Sequence, residues 1–140
     1  MNQLATATSD RVLTIFDLED GSSEQVAIDE FDQVGRVSWS PSGDWLVMRA
    51  RSLTTPRDDG GIWAYQLDSG DTWQVSANTA VLYEWTETGQ LLNTRTNRDG
   101  TYYFVTDVPT QQSDLVPGLG VACSCEPKGY AVWGVDLRWP

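Results

Sequence analysis

Two short polar segments carry the side chains that could do chemistry, and each runs directly into a glycine. They supply the candidate binding residues Arg57, Asp58, Asp59, Arg98 and Asp99. Aspartates in such loops could ligate calcium through their hard carboxylate oxygens. Neither segment has the spacing of an EF-hand, and Asp-Gly is first of all a turn dipeptide. The sequence therefore favours turns at both places, with a ligand site as the alternative and no metal assigned.

No catalytic constellation can be built from the residue types of this chain. Histidine is absent, which removes the commonest general base and the commonest zinc ligand. A Ser-His-Asp or Cys-His centre is therefore excluded within the chain, and no G-x-S-x-G elbow occurs. Twenty acidic residues leave many carboxylate pairs, but none stands out by its spacing. We predict a protein that is not an enzyme, with no catalytic residue and no cofactor.

The two cysteines, Cys123 and Cys125, stand two positions apart. On one strand such residues point to the same face, with Cα atoms roughly 6.5 to 7 Å apart. That separation is at the limit for a disulfide, and the side chains run parallel. We predict two buried free thiols, which do not settle the redox compartment.

Composition and charge bound the class of protein. The 140 residues suffice for one domain with a real core, and 40% of them are hydrophobic. Nine basic residues face twenty acidic ones, so the net charge of −11 argues against a nucleic acid as partner. The acidic excess is also an ordinary way to keep a strand-rich protein soluble. The apolar stretches are too short to span a membrane, and no signal segment is visible at the N-terminus.

An internal repeat organises the chain. Three segments align without gaps as a strand, a four-residue turn closing on glycine, and a second strand. They start at Val37, Tyr83 and Cys123, 46 and 40 residues apart, and their glycines are Gly43, Gly89 and Gly129. A tight turn often needs a positive φ at that place, which glycine adopts without steric cost.

A second set of segments repeats with the same offset. β-rich runs start at Leu13, Ile62 and Tyr102, and ten residues after each start comes a short strand, at 23–28, 72–77 and 112–117. Strands labelled A to D then follow one another, with residues 3–8 as a B strand. The resulting single domain, 1–140, divides into approximate units at 3–28, 37–77, 83–117 and 121–136.

At this point a family resemblance emerges. Trp39-Ser-Pro-Ser-Gly-Asp-Trp-Leu46 resembles the W-S-P-D-G signature of TolB-like propeller repeats, and Ile62-Trp-Ala-Tyr-Gln-Leu-Asp-Ser-Gly70 is similar to the family's I-W strand. Asn97-Arg-Asp-Gly100 resembles the turn before that strand, whereas the N-terminal run is closer to the WD40 style. Thr86-Glu-Thr88 departs from the pattern, as does Cys125 at a usual tryptophan position.

The resemblance implies an all-β fold of four-stranded antiparallel propeller blades, about three in this chain. Three blades are half of a six-bladed ring, so we expect a partner: a second copy forming a homodimer, or the remaining blades of a longer parent chain. Another protein is a further possible partner. The family also favours an extracytoplasmic location, periplasmic or secreted. Trp39 and Trp85 could stack a planar ligand, but a repeating position favours packing between blades.

The resemblance leaves three functions open. We predict a non-catalytic module that binds or assembles with a protein or ligand. The alternative is the propeller portion of a larger enzyme, such as a prolyl-oligopeptidase-like peptidase, whose catalytic part lies outside this chain. A third interpretation is a propeller lyase or hydrolase with its site in the central channel, against which the missing histidine counts.

Overall fold

The computed structural model describes residues 3–7, 11–54, 60–77, 83–97 and 99–122. Those residues form β-strands joined by turns and contain no helix. The strands are β1 (Gln3–Ala7), β2 (Val12–Asp17), β3 (Ser23–Ala27), β4 (Phe31–Asp32), β5 (Val37–Trp39), β6 (Trp45–Ser52), β7 (Gly61–Gln66), β8 (Thr72–Ala77), β9 (Tyr83–Trp85), β10 (Leu91–Asn97), β11 (Gly100–Asp107) and β12 (Gln112–Ala122). The prediction of an all-β chain is confirmed for this part of the sequence.

The strands form three antiparallel sheets, each built from strands that are neighbours in sequence. The first sheet has the order β1-β2-β3, and the third has the order β9-β10-β11-β12. In the second sheet, β6, β7 and β8 follow in order, and both β4 and β5 pair with the free edge of β6. Among the described residues, the third sheet has the predicted four strands and the first has three, as expected for a unit that begins at its B strand, whereas the second has five, one more than predicted.

The additional strand β4 was not predicted, and its cause is the length of β6. The eight-residue β6 extends well beyond the three-residue β5 that pairs with it. Without a further partner, the end of β6 near Ser52 would have unpaired backbone groups, which are costly when shielded from water. Phe31 and Asp32 pair there with Ser52 and Arg51 and so satisfy that edge.

The second sheet lies between the other two, and each of its faces carries one apolar cluster. Side chains alternate along β6, so Leu46 and Met48 join the cluster shared with the first sheet. Val47, between them, joins the cluster shared with the third sheet. All three are completely buried. Every residue of β7 from Gly61 to Tyr65 is buried, so this strand is covered on both faces.

The β5–β6 and β9–β10 turns have the same construction. Gly43 and Gly89 both have φ of 81°, as the alignment predicted. The amide of each donates to the carbonyl three residues earlier, on Ser40 and Thr86. The Ser40 and Thr86 hydroxyls accept from the amides of Trp45 and Gln90, both at 3.1 Å. Gly129, Cys123 and Cys125 lie outside the described residues.

The last strand is longer than the sequence suggested. β12 continues to Ala122, five residues beyond the predicted end at 117, and its pairing with β11 shifts register between Tyr102 and Phe104. Gly118 has a positive φ of 77°, next to Pro117, which has no amide to donate. Within the described ranges no helix is long and apolar enough to cross a membrane.

Candidate functional site

The connections between strands fall on two edges of the sheets. Because the strands are antiparallel, the β2–β3, β5–β6, β7–β8, β9–β10 and β11–β12 turns form what we call the lower edge. The opposite edge, which we call the upper edge, carries the other strand ends and their connections, including the one from β3 to β5. The upper edges of the second and third sheets adjoin, since the Tyr83 hydroxyl donates to the Arg36 carbonyl. Two residues further down, Trp85 Nε1 donates to the Ser38 carbonyl at 3.3 Å.

Charge is distributed unequally between the two edges. Four of the nine basic residues lie outside the described residues, and the other five all lie in the upper half of the sheets or in its connections: Arg11, Arg36, Arg49, Arg51 and Arg95. The lower edge carries acidic residues and no described basic residue. Its acids are Asp17, Glu19, Asp20, Asp44, Asp68, Asp71, Glu87 and Asp107. A strongly acidic chain thus presents its described arginines on one side.

The connection from β3 to β5 positions the arginines of the second sheet. Phe31 is completely buried and lies edge-on to Trp63, with ring centroids 5.0 Å apart. The Leu53 amide donates to the Glu30 carbonyl at 2.8 Å, and the Gly35 amide donates to the Arg49 carbonyl at 2.7 Å. The connection is therefore fastened to β6 along its length, which fixes the backbone on both sides of Arg49.

Two of the upper arginines are held in ion pairs. Arg36 Nη2 lies 2.8 Å from Glu84 Oε2, and this pair bridges the second and third sheets. Arg51 pairs with Asp32 across the β4–β6 ladder. The hydrogen bond from Arg51 is the main cause that holds the pKa of Asp32 below its ordinary value of 3.8, and the Gln33 amide adds to it. Arg49 is exposed and makes no ion pair with another described residue.

Tyr83 links these charged groups to the core. Its side chain is 6% exposed and belongs to the cluster between the second and third sheets. Burial raises the pKa of Tyr83, although Arg36 and Arg49 act against that rise. The hydroxyl therefore stays protonated at neutral pH and donates to the Arg36 carbonyl. The Arg36 guanidinium carbon lies 5.8 Å from the Tyr83 ring centroid.

A cleft of about 250 Å³ opens on the upper part of β6. Side chains alternate along the strand, so Arg49 and Arg51 lie on the same face as Val47, which is the face toward the third sheet. The residues lining the cleft are Gln33, Gly35, Arg49, Ala50, Arg51 and Gly60. Arginines beside a concave surface offer fixed donors to an anionic group.

Of the candidate residues predicted from the sequence, only Asp99 is described. It lies in the upper turn between β10 and β11, where its amide donates to Asn97 Oδ1 at 2.8 Å. The Gly100 amide donates to the same oxygen at 3.1 Å, so this segment is a turn held by asparagine. Arg57, Asp58, Asp59 and Arg98 lie outside the described residues, and their assignment stays a prediction. No group of three acidic or cysteine side chains in the described ranges could hold a metal ion.

Sequence reasoning missed Arg36, Arg49, Arg51, Tyr83 and Glu84 as a group. The available signal was the position of the arginines relative to the strand ends, since the described arginines sit toward one edge in three successive units. The sequence favoured packing of Trp39 and Trp85 over ligand stacking, and both side chains pack on apolar clusters. Trp39 contacts the cluster between the first and second sheets, and Trp85 contacts the cluster between the second and third.

A second polar group lies on the third sheet and is structural. Asn93 is completely buried, and its amide nitrogen donates to Thr106 Oγ1 at 2.8 Å. Thr106 bonds to Ser113 at 2.8 Å, and Ser113 accepts from Arg95 Nη2 at 2.6 Å. The Arg95 guanidinium carbon lies 4.2 Å from the Phe104 ring centroid, and desolvation lowers the pKa of Arg95. These bonds tie β10, β11 and β12 together.

No family model matches the chain, and no curated protein matches its sequence. The solved structures that it resembles include a "putative 6-phosphogluconolactonase" from Bacteroides uniformis, at 17% identity and a TM-score of 0.49 over 86% of this chain. A second protein of the same description, from Bacteroides fragilis, has 19% identity and a TM-score of 0.46 over 81% of the chain. The chain spans about a third of their length, 37% and 34%.

These comparisons correct one prediction. The sequence favoured a non-catalytic module for binding or assembly, with the propeller portion of a larger peptidase as the alternative. The solved structures that resemble this chain are instead described as lactonases, which are enzymes. The prediction leaned on the missing histidine, yet carboxylate, tyrosine and arginine side chains can also serve catalysis. At these identities and TM-scores the likeness gives this chain no substrate.

Proposed function

We propose that the three sheets are blades of a TolB-like or WD40-like propeller, and that their upper edge is the substrate site of a hydrolase for small anionic esters or lactones. The blade assignment is supported by the repeated β5–β6 and β9–β10 turns and by the stacking of sheets around the second one. The observation that carries the substrate assignment is the segregation of the described arginines onto the upper edge.

The chemistry follows from the groups at the top of β5 and β9. Hydrolysis of an ester or lactone needs a base to take a proton from water and donors to stabilise the oxyanion that forms at the carbonyl. The Glu84 carboxylate is exposed and lies next to the Arg36 guanidinium, and Arg49 flanks the same backbone. Glu84 would act as the base, and the Arg36 N–H groups that are not bonded to Glu84 would be the oxyanion donors. No histidine is needed for this scheme.

Glu84→Gln tests the proposal, because it keeps the shape of the side chain and removes the base. The whole chain is assayed for acid release from small esters and lactones, with and without a phosphate or carboxylate group. We expect turnover of the anionic members and a loss of about 10²-fold or more in kcat for Glu84→Gln. The matched control is Glu87→Gln, on the lower edge of the same sheet, which should keep full activity.

Two outcomes would overturn the proposal. One is the absence of turnover above the uncatalysed rate for every compound. The other is equal activity of the Glu84→Gln and Glu87→Gln proteins, which would remove the upper edge from the chemistry.

The partner proposed from the sequence concerns the rest of the ring. The first sheet packs its Leu13 face on the second sheet, and its other face presents Leu4, which is 50% exposed, opposite Phe16. A second copy of this chain or further blades of a longer chain would cover that face. The molecular mass in solution distinguishes these two partners.

A further inference from the structure

We propose that the cleft on β6 is an oxyanion site in which the Arg49 guanidinium binds a phosphate or carboxylate group. The inference rests on the proposed function, since it names the group of the substrate that the upper edge recognises. It is tested by binding alone, so it can fail or succeed independently of any turnover.

Arg49 differs from its neighbours in having its charge available. The Arg36 guanidinium is occupied by Glu84 and the Arg51 guanidinium by Asp32, whereas Arg49 makes no ion pair with another described residue. Of the two arginines that line the cleft, Arg51 is paired and Arg49 is not, among the described residues. An added anion would therefore bind Arg49 without displacing an ion pair between described residues.

The backbone holds Arg49 in place before any ligand arrives. Its carbonyl accepts from the Gly35 amide at 2.7 Å, and its own amide donates to the Arg36 carbonyl at 3.4 Å. The same Arg36 carbonyl accepts from the buried Tyr83 hydroxyl. These bonds fix the backbone from which the exposed Arg49 side chain projects, and ordering that side chain on a ligand costs part of the binding free energy.

The shape of the cleft suits a small group. Two of its lining residues are glycines, Gly35 and Gly60, which have no side chains to fill the space. Ala50, which is buried, is the β6 residue between Arg49 and Arg51. A volume of about 250 Å³ is somewhat below the usual range for pockets that bind a whole drug-sized ligand. The cleft therefore fits one charged group of a substrate whose remainder extends along the upper edge.

The test is calorimetric titration of the whole chain with inorganic phosphate, and separately with acetate, at constant ionic strength. Arg49→Gln removes the charge and leaves a shorter polar side chain. We expect saturable binding to the wild-type protein, weakened about tenfold or more by Arg49→Gln, as for a lost charged hydrogen bond. The control is Arg11→Gln, which removes one exposed charge from the same edge but does not line the cleft.

A steric variant tests the place as well as the charge. Gly35 has no positive φ, and a Cβ there would lie 3.7 Å from the Arg49 carbonyl and 3.8 Å from Arg49 Cβ, which are ordinary contacts. Gly35→Val should therefore fold normally, fill the space beside Arg49 and weaken binding, with an unchanged midpoint of thermal unfolding.

The outcomes divide clearly. Binding to wild type that Arg49→Gln and Gly35→Val weaken, and Arg11→Gln does not, supports the site, and comparing phosphate with acetate shows which oxyanion it prefers. No saturable binding of either anion to wild type overturns it. Equal weakening by Arg49→Gln and Arg11→Gln also overturns it, because diffuse charge would then explain the binding. Oxyanion binding without turnover would leave this site standing and refute the proposed hydrolase.

Discussion

The two edges of the sheets are built by different rules. On the lower edge, the β5–β6 and β9–β10 turns share a glycine with φ of 81° and a hydroxyl that accepts from a later amide, five residues on for Ser40 and four residues on for Thr86. On the upper edge, the connections differ in length from one unit to the next, and among the described residues the one from β3 to β5 contains an additional strand. The lower edge thus uses one kind of turn more than once to reverse the chain, whereas the connections of the upper edge vary between units.

We interpret this difference as a division between stability, provided at the lower edge, and recognition, provided at the upper edge. A turn that recurs with the same bonds satisfies backbone requirements that every unit shares. Connections that vary on a rigid scaffold are where proteins place binding residues. The arginines follow this division, since each of the described ones lies toward the variable edge. The predictions below test how far the division holds, starting with the largest expected effect.

Phe31→Ala should show that the upper edge also contributes to stability, because Phe31 lies on that edge and belongs to the core. Phe31 is completely buried, contacts Trp63 edge-on and anchors the connection that positions Arg36. Removing a buried phenylalanine ring typically costs about 3–5 kcal/mol. Urea unfolding should show a loss of that size. Phe16→Ala, on the partly exposed face of the first sheet, is the control and should cost less.

A loss of stability no greater than that of Phe16→Ala would contradict this account. In that case β4 would be a surface segment, and the upper edge would contribute recognition without stability.

Gly43→Val should show the structural demand of the lower edge. Gly43 has φ of 81°, a conformation that a β-branched residue adopts only with strain. We expect a loss of about 1–3 kcal/mol in the free energy of unfolding. Gly35→Val, on the upper edge, should cost less because its φ does not favour glycine. Equal losses in chemical denaturation at the two positions would mean that the turn does not depend on glycine.

What the sequence could predict follows the same division. Glycine, serine and threonine at fixed offsets specify a turn locally, so the lower edge and the order of the strands could be read from the repeat. The strand β4 could not, because it exists only where β6 is longer than β5, which is a property of pairing. The group around Tyr83 could not either, since its members come from separate strands and meet only when two sheets stack. The candidate residues chosen from the sequence were instead those of local Asp-Gly segments.

The smallest expected effect compares one carboxylate from each edge. The pKa of Asp32 is lowered mainly by its hydrogen bond from Arg51, whereas the pKa of Asp20 is lowered by hydrogen bonds from Ser22, one of them from its amide at 2.7 Å. A carboxyl group whose pKa is lower in the folded than in the unfolded state stabilises the protein at pH values above its unfolded-state pKa, here 3.8. That stabilisation is lost as the pH falls through the folded value.

Both carboxylates should therefore matter near neutral pH and cease to matter in acid, but only one should respond to salt. Asp32→Asn and Asp20→Asn are compared with wild type by thermal unfolding near neutral pH and well below pH 3.8, each at low and high ionic strength. We expect both variants to unfold earlier than wild type at neutral pH, and the differences to vanish in acid. High salt should reduce the Asp32 difference, because that pair is partly exposed and screened, and leave the Asp20 difference unchanged. An Asp32 difference that persists in acid, or one that salt does not reduce, would mean that the Arg51 pair is not what makes this carboxylate stabilising.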